Sequence, residues 1–254
     1  MAGTIQPVKD QDTSPSVPVW TRANGAELIA ALGRPPYAVV CDTGGETEFS
    51  RRLLESLAPD GSRGGDAISF TRIRVAPEDA GDGGLVTRMS RTNAPIPAHT
   101  DCSYMPAPHN LVAFEIIEAD SEGGASILVD GDTLVRHLDP GTIRLLSMPI
   151  FPFGRERYSI VKVGQRGVQV RYYRAQVDKG LELGHPLPEN ARQALGALDA
   201  ALERPELQTR ILVASGQTLF FANRRVLHGR TGFAATSQRL MHRYRMTVPE
   251  LDLE

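Results

Sequence analysis

At 254 residues, with 41% hydrophobic and 23% charged side chains, the chain has the makeup of a folded globular protein able to bury a sizeable core. Its 28 basic and 30 acidic residues leave a formal net charge of −2, and the arginines are scattered among acids, so neither nucleic acid nor a membrane surface is expected as a partner. Two cysteines, Cys41 and Cys102, make no disulfide framework, and neither a signal-peptide pattern nor a run of ~18 apolar residues occurs, which together predict a cytoplasmic setting.

Residues 1–18 are polar and proline-rich and read as a flexible arm ahead of one domain over 19–254. "GAELIAALGRPPYAVVCDT" predicts a short helix, a break at Gly33-Arg34-Pro35-Pro36 and a buried strand at 37–41. "TEFSRRLLESLA" sets Phe49, Leu53, Leu54 and Leu57 on one helical face, and "AISFTRIRVA" alternates like a half-buried strand. From residue 85 onward the chain is mostly strand-like: "LVAFEIIE", "ASILVDG", "YSIVKVG", "GVQVRYYR", "RILVA", "QTLFFA" and "RLMHRYRMTV". Two helical insertions interrupt it. In "DTLVRHLDPGTIRLL", Asp139-Pro140 reads as a cap followed by an N1 proline, and in "PENARQALGALDAALERP" Ala191, Leu195, Leu198 and Leu202 form an apolar stripe. Many short strands with a few covering helices predict a mainly β fold with flanking helices, either closed or in two sheets, such as a jelly roll.

The chemistry centres on "IPAHTDCSYMPAPHN". In a strand, residues i and i+2 face the same side, so His99 and Asp101 are expected to present an imidazole and a carboxylate together. Alone, a His-x-Asp triplet is common by chance. A third donor is offered by "FFANRRVLHGRTGF", where a strand ending at Gly229 would put His228 at the rim of a cavity. Two histidines and a carboxylate form the facial triad of non-haem Fe(II) oxygenases, which leaves positions open for a chelating co-substrate and O2. Further on, alternation puts Arg239, Met241, Arg243 and Arg245 on one face and His242 on the other. Inward arginines call for an anion, and a guanidinium–carboxylate pair is the natural solution; an exposed arginine-rich edge strand is the plain alternative.

In order, "HTDCSYMPAP", "GGASILVDGD", "SGQTLFFANRRVLHGRTGF" and the Arg-x-x-x-Arg strand resemble the TauD/TfdA superfamily of Fe(II)/2-oxoglutarate dioxygenases over about residues 88–248, and are most similar to its γ-butyrobetaine hydroxylase-like branch. The resemblance implies a double-stranded β-helix core, Fe(II) held by His99, Asp101 and His228, and 2-oxoglutarate and O2 as co-substrates. It further implies that Arg239, eleven positions past His228, grips the distal carboxylate of 2-oxoglutarate. Ser126, 25 positions past Asp101, would bind the same co-substrate, and Arg243 would assist it or bind an anionic substrate group. Asn223 would serve structure near His228. The chain lacks a cysteine-bearing zinc module and has only 6% aromatics, so an aromatic cage for a trimethylammonium substrate is not expected.

Candidate substrate contacts are Tyr104, Arg171, Arg88 and Arg91, with Tyr172, Tyr173 and Arg174 alternating around Arg171 in what reads as a strand. His109, His137, His185 and His242 are expected to be solvated or packing residues, and Cys102 a small packing residue. The activity expected is hydroxylation of an unactivated C–H in a small polar substrate, an amino acid or another carboxylate, with release of succinate and CO2. Desaturation, cyclisation and epimerisation start from the same hydrogen abstraction. The rivals are a non-catalytic jelly roll that binds a small acid and a zinc-dependent isomerase or hydrolase on the same triad; neither needs Arg239. The oligomeric state is left open, a homo-oligomer included.

Overall fold

Alternation and burial sort the strands into two sheets whose order the chain visits out of sequence. The computed structural model describes residues 16–21, 23–46, 48–58, 67–75 and 89–252. It begins with β1 (Val19–Trp20), α1 (Gly25–Leu32), β2 (Ala38–Asp42), α2 (Phe49–Glu55) and β3 (Ser69–Arg74). Next come β4 (Ile96–His99), β5 (Leu111–Glu118), β6 (Ser126–Asp130), α3 (Gly131–Arg136) and α4 (Pro140–Leu146). Two hairpins follow, β7 (Phe151–Phe153) with β8 (Glu156–Tyr158) and β9 (Val161–Gly164) with β10 (Gly167–Val170). Helices α5 (Arg174–Glu182) and α6 (Glu189–Leu202) precede β11 (Thr209–Ile211), β12 (Gln217–Ala222), β13 (Val226–Arg230) and β14 (Leu240–Met246).

Six strands make one sheet in the order β1-β2-β12-β5-β14-β3, and four make a second in the order β11-β6-β13-β4. Within both, every pairing is antiparallel except β1 with β2. The sheets meet through aromatic rings: Phe114 of β5 and Phe221 of β12 lie 5.3 and 4.7 Å, centroid to centroid, from the His228 ring of β13. This is the jelly-roll core the sequence led us to expect. On the outside of the larger sheet, Leu28 and Leu32 of α1 and Leu53 and Leu54 of α2 share a buried cluster with Val39, Val40 and Phe220. On the smaller sheet, Leu146 of α4 and Leu195 and Leu198 of α6 cluster with Val129 and Leu227. β12 is therefore buried on both faces, which is why "LFFA" is an unbroken apolar run instead of an alternating one.

The helices begin where their caps direct. Asn24 and Glu27 form a reciprocal capping box at α1, the Asn24 side chain accepting from the Glu27 N–H at 3.0 Å. Asp139 accepts from the Thr142 N–H at 2.9 Å and Pro140 opens α4, as its sequence predicts. The four stripe residues of α6 are all buried. Cys41 and Cys102 are both free and buried. Among the described residues, no helix is long and apolar enough to cross a membrane.

Three local expectations are corrected. The strand read through "GVQVRYYR" stops at Val170, and α5 begins at Arg174, so the alternation assigned to 171–174 does not exist. Asp101 lies beyond the end of β4, in a turn, and so does not share a strand face with His99. β13 runs on past Gly229 to Arg230 instead of ending at the glycine. Of the arm expected at 1–18, residues 1–15 lie outside the described residues; Val17 is buried in the core and the Pro18 carbonyl accepts from the Val40 N–H.

Candidate metal centre

β13 and β4 are neighbours, and their register sets His228 directly opposite His99. Opposed residues of an antiparallel pair project from the same face, and the two imidazole centroids are 4.3 Å apart. After His228 the strands draw so close that a Cβ on Gly229 would lie 2.6 Å from the Ile96 carbonyl oxygen. Close approach, and no strand ending, is what requires glycine there.

Asp101 is aimed by a turn. Thr100 donates its N–H to the Tyr172 carbonyl at 2.6 Å and accepts the Tyr172 N–H on its hydroxyl at 2.9 Å. Cys102 follows with a positive φ of 58°. Fully buried Asn223 clamps the Asp101 backbone from the other side: its Oδ1 accepts from the Asp101 N–H at 2.8 Å, and its Nδ2 donates to the carbonyls of Asp101 (3.1 Å) and His109 (2.7 Å). The Asp101 Oδ1 then stands 3.6 Å from His99 Nε2 and 3.7 Å from His228 Nε2. One donor atom from each of the three residues lies within 4.8 Å of the other two.

The protonation states suit metal ligation. Burial works against ionisation of Asp101, but Arg243, 3.3 Å from its Oδ2, and the two histidines outweigh it and hold the carboxyl well below the usual carboxylate range. For His228, burial first and the neighbouring His99 second push the ring well below the ordinary imidazole value, so it is neutral at pH 7. The Nδ1 of His99 lies 2.9 Å from the Pro97 carbonyl oxygen, which can only accept, so Nδ1 donates there and Nε2 is the nitrogen turned toward the triad. Despite the nearby guanidinium, Asp101 Oδ2 is buried without a hydrogen bond of proper geometry. An ionised carboxylate and two imidazole nitrogens converging in this way fit a divalent ion such as Fe(II).

A cavity opens from the triad, with Ser126, Arg239, Arg243, Arg245 and Tyr104 among its lining residues. As alternation predicts, β14 turns its arginines inward, while His242 and Tyr244 point the other way and share the buried Glu115 carboxylate at 3.0 and 2.9 Å. Arg239 is buried, its Nη1 is 3.2 Å from Met241 Sδ and its guanidinium carbon 5.7 Å from the Phe233 ring centroid. Among the described residues no carboxylate oxygen lies within 4 Å of Arg239. Desolvation lowers its pKa, partly offset by Asp120.

The other expected contacts divide. Tyr104 lines the cavity and is 40% exposed. Arg171 does not line it: the guanidinium stacks 3.9 Å over the Tyr158 ring and donates to the carbonyls of Ser103, Met105 and Pro106, where it fixes the loop after Asp101. Arg91 falls in a short turn, Met89–Arg91, whose first two residues line the cavity. Arg88 lies outside the described residues. Tyr173, which the sequence placed on one face with Arg171, reaches the cavity without it, its ring 4.8 Å from that of His99; sequence reasoning missed Gln176, on the unforeseen α5, which also lines the cavity. It gave Asn223 a general supporting place near His228, whereas the residue it holds is Asp101.

Residues 41–245 match the family described as taurine catabolism dioxygenase TauD, TfdA family. No curated protein matches the chain in sequence. Among solved structures, the chain is similar to an asparagine oxygenase in complex with Fe(II), 2S,3S-3-hydroxyasparagine and succinate, at 14% identity and a TM-score of 0.67 over 87% of this chain and 78% of that one. It is also similar to the non-heme iron oxygenase OrfP in complex with Fe and alpha-ketoglutaric acid, at 14% identity and a TM-score of 0.64 over 88% and 79%. A further asparagine oxygenase structure (AsnO) aligns at 17% identity and a TM-score of 0.57 over 70% of this chain, which spans 55% of that relative's length. At these identities the likeness is one of fold.

Proposed function

Since this chain belongs to the TauD/TfdA family of dioxygenases, we propose that it is an Fe(II)- and 2-oxoglutarate-dependent oxygenase that hydroxylates an unactivated C–H of a small polar substrate, an amino acid or another carboxylate. The observation that carries this reading is the convergence of His99, Asp101 and His228 on a cavity that also holds the buried Arg239. Those three residues would hold the iron. When bound, Fe(II) with 2-oxoglutarate supplies the oxidising chemistry, in which O2 is consumed and succinate and CO2 are released. The asparagine oxygenase and OrfP structures hold iron with succinate or alpha-ketoglutaric acid, which supports the same assignment.

The chain's own residues bind, orient and exclude water. Arg239, without a carboxylate within 4 Å among the described residues, is assigned to the distal carboxylate of 2-oxoglutarate, with Ser126 beside it on the cavity wall. Gly124 gives Arg239 room: a Cβ there would lie 3.2 Å from its Nε, and the glycine φ of +72° suits no other residue well. Arg243 keeps Asp101 ionised. Phe114 and Phe221 close the sheet side around His228, so the triad opens toward the cavity. The protein thus contributes position and a dry, charged enclosure, while the metal contributes the reactivity.

Anaerobic addition of Fe(II) and 2-oxoglutarate to the chain is expected to give a weak visible charge-transfer band. In Arg239→Ala the same band should form only at about tenfold or more higher 2-oxoglutarate, since a charge-assisted pair is removed. Folded, iron-loaded protein that stays colourless at any 2-oxoglutarate concentration would instead favour an acid-binding jelly roll or a zinc enzyme. Product analysis separates hydroxylation from desaturation, cyclisation or epimerisation.

A further inference from the structure

Among the described residues, the cavity holds one more guanidinium than this chemistry uses. Arg245 lies two residues beyond Arg243 on β14, and both line the cavity. Its Nη1 is 3.2 Å from Cys102 Sγ, and its Nη2 is 3.4 and 3.5 Å from the hydroxyls of Ser69 and Thr71 on β3. Its Nε is buried without a hydrogen-bond partner. All of these neighbours are uncharged, the thiol is a weak acceptor, and the two hydroxyls are distant for a charged donor. Among the described residues the one carboxylate within 4 Å is Asp101, whose Oδ2 is 3.8 Å away and has Arg243 closer, at 3.3 Å.

The other cavity cations are accounted for. Arg230 donates to the carbonyls of Thr92 and Ala94 and stacks 4.4 Å over Phe233. Arg239 is assigned to the co-substrate, and Arg243 is paired with Asp101. The Arg245 side chain, 17% exposed, has no anion of its own among the described residues. A guanidinium so placed is costly unless an anion meets it, and its planar fork suits a two-oxygen acid group. On the acid side, Asp101 is the single carboxylate among the described residues lining the cavity, and it belongs to the triad. An ammonium group entering here would find guanidiniums and, among the described residues, no carboxylate free to receive it.

Resting on the oxygenase reading, we propose that Arg245 is the receptor for an acid group of the prime substrate, and that this substrate is an organic acid lacking an ammonium group. Arg245 touches Cys102, the residue after Asp101, so an acid held there lies directly beside the triad. The proposal chooses between the two substrate types left open above: carboxylates, and not amino acids.

The test is titration calorimetry of the full chain loaded with Mn(II), with and without 2-oxoglutarate. The probes are straight-chain mono- and dicarboxylates and their 2-amino counterparts, hexanoate and norleucine being the reference pair. Wild type is expected to bind hexanoate at least as tightly as norleucine. Arg245→Gln should weaken hexanoate about tenfold or more, Arg245→Lys should retain part of the affinity, and 2-oxoglutarate affinity should stay within twofold of wild type in both. The proposal is overturned if no acid binds wild type, if folded Arg245→Gln binds hexanoate as wild type does, if 2-oxoglutarate weakens equally, or if norleucine binds tenfold tighter than hexanoate. Should acids bind through Arg245 while 2-oxoglutarate does not bind at all, the oxygenase reading falls and the acid receptor stands, so the two failures are told apart.

Discussion

Replacement of His228 by alanine is expected to abolish the visible band with Fe(II) and 2-oxoglutarate and all substrate-dependent succinate formation. The ring is buried, neutral and fixed on three sides, by His99 at 4.3 Å, Phe221 at 4.7 Å and Phe114 at 5.3 Å between centroids. No other His, Cys, Asp or Glu among the described residues joins the triad, so no substitute donor stands ready. Removing a residue that merely orients a ligand typically costs 10–100-fold in metal affinity, so removing a ligand should cost more than ~100-fold. Metal titration of the folded variant, its circular dichroism matching wild type, checks this. A metal affinity within tenfold of wild type would remove His228 from the site.

The second large effect is expected at Asn223. Alanine there deletes an acceptor and two donated hydrogen bonds and leaves the Asp101 N–H and the Asp101 and His109 carbonyls without their partner. Each buried polar group left unsatisfied costs about 1–3 kcal/mol, and because the three share one side chain their costs are not simply additive. A loss of about 3–4 kcal/mol is expected, a large fraction of the ~5–15 kcal/mol that holds a domain folded. Metal affinity should fall with it by roughly 10–100-fold, since Asn223 holds the backbone that aims Asp101. Chemical denaturation and metal titration on the same variant read the two quantities. A destabilisation below about 1 kcal/mol would show that the clamp is dispensable.

What could be read from the chain follows from which contacts are local. Helices α1, α4 and α6 carry their own signals, namely the Asn24–Glu27 box, the Asp139-Pro140 start and the buried stripe through Leu195 and Leu198. α5 carries none: its N-cap position is Tyr173, which makes no side-chain capping bond, and "RYYR" continues the β-prone run of β10. The strand ends there because of distant partners, the Val170 N–H going to the Arg224 carbonyl and the Arg171 N–H to that of Ile160. The same division holds in the site. The His99-x-Asp101 spacing pointed to a pair, but the turn that makes the pair depends on Tyr172 and Asn223, far along the chain. Arg171 looked like a substrate contact because carbonyl oxygens, its actual partners, leave no mark in a sequence.

β4 is four residues long, stands at the margin of its sheet among the described residues, and slips register against β13 just after the His228–His99 pair. An outermost strand so short has little of its own to keep it seated. A cation shared between His99 and His228 would act as a rivet through that margin, so that charging the site and fastening the strand would become one event.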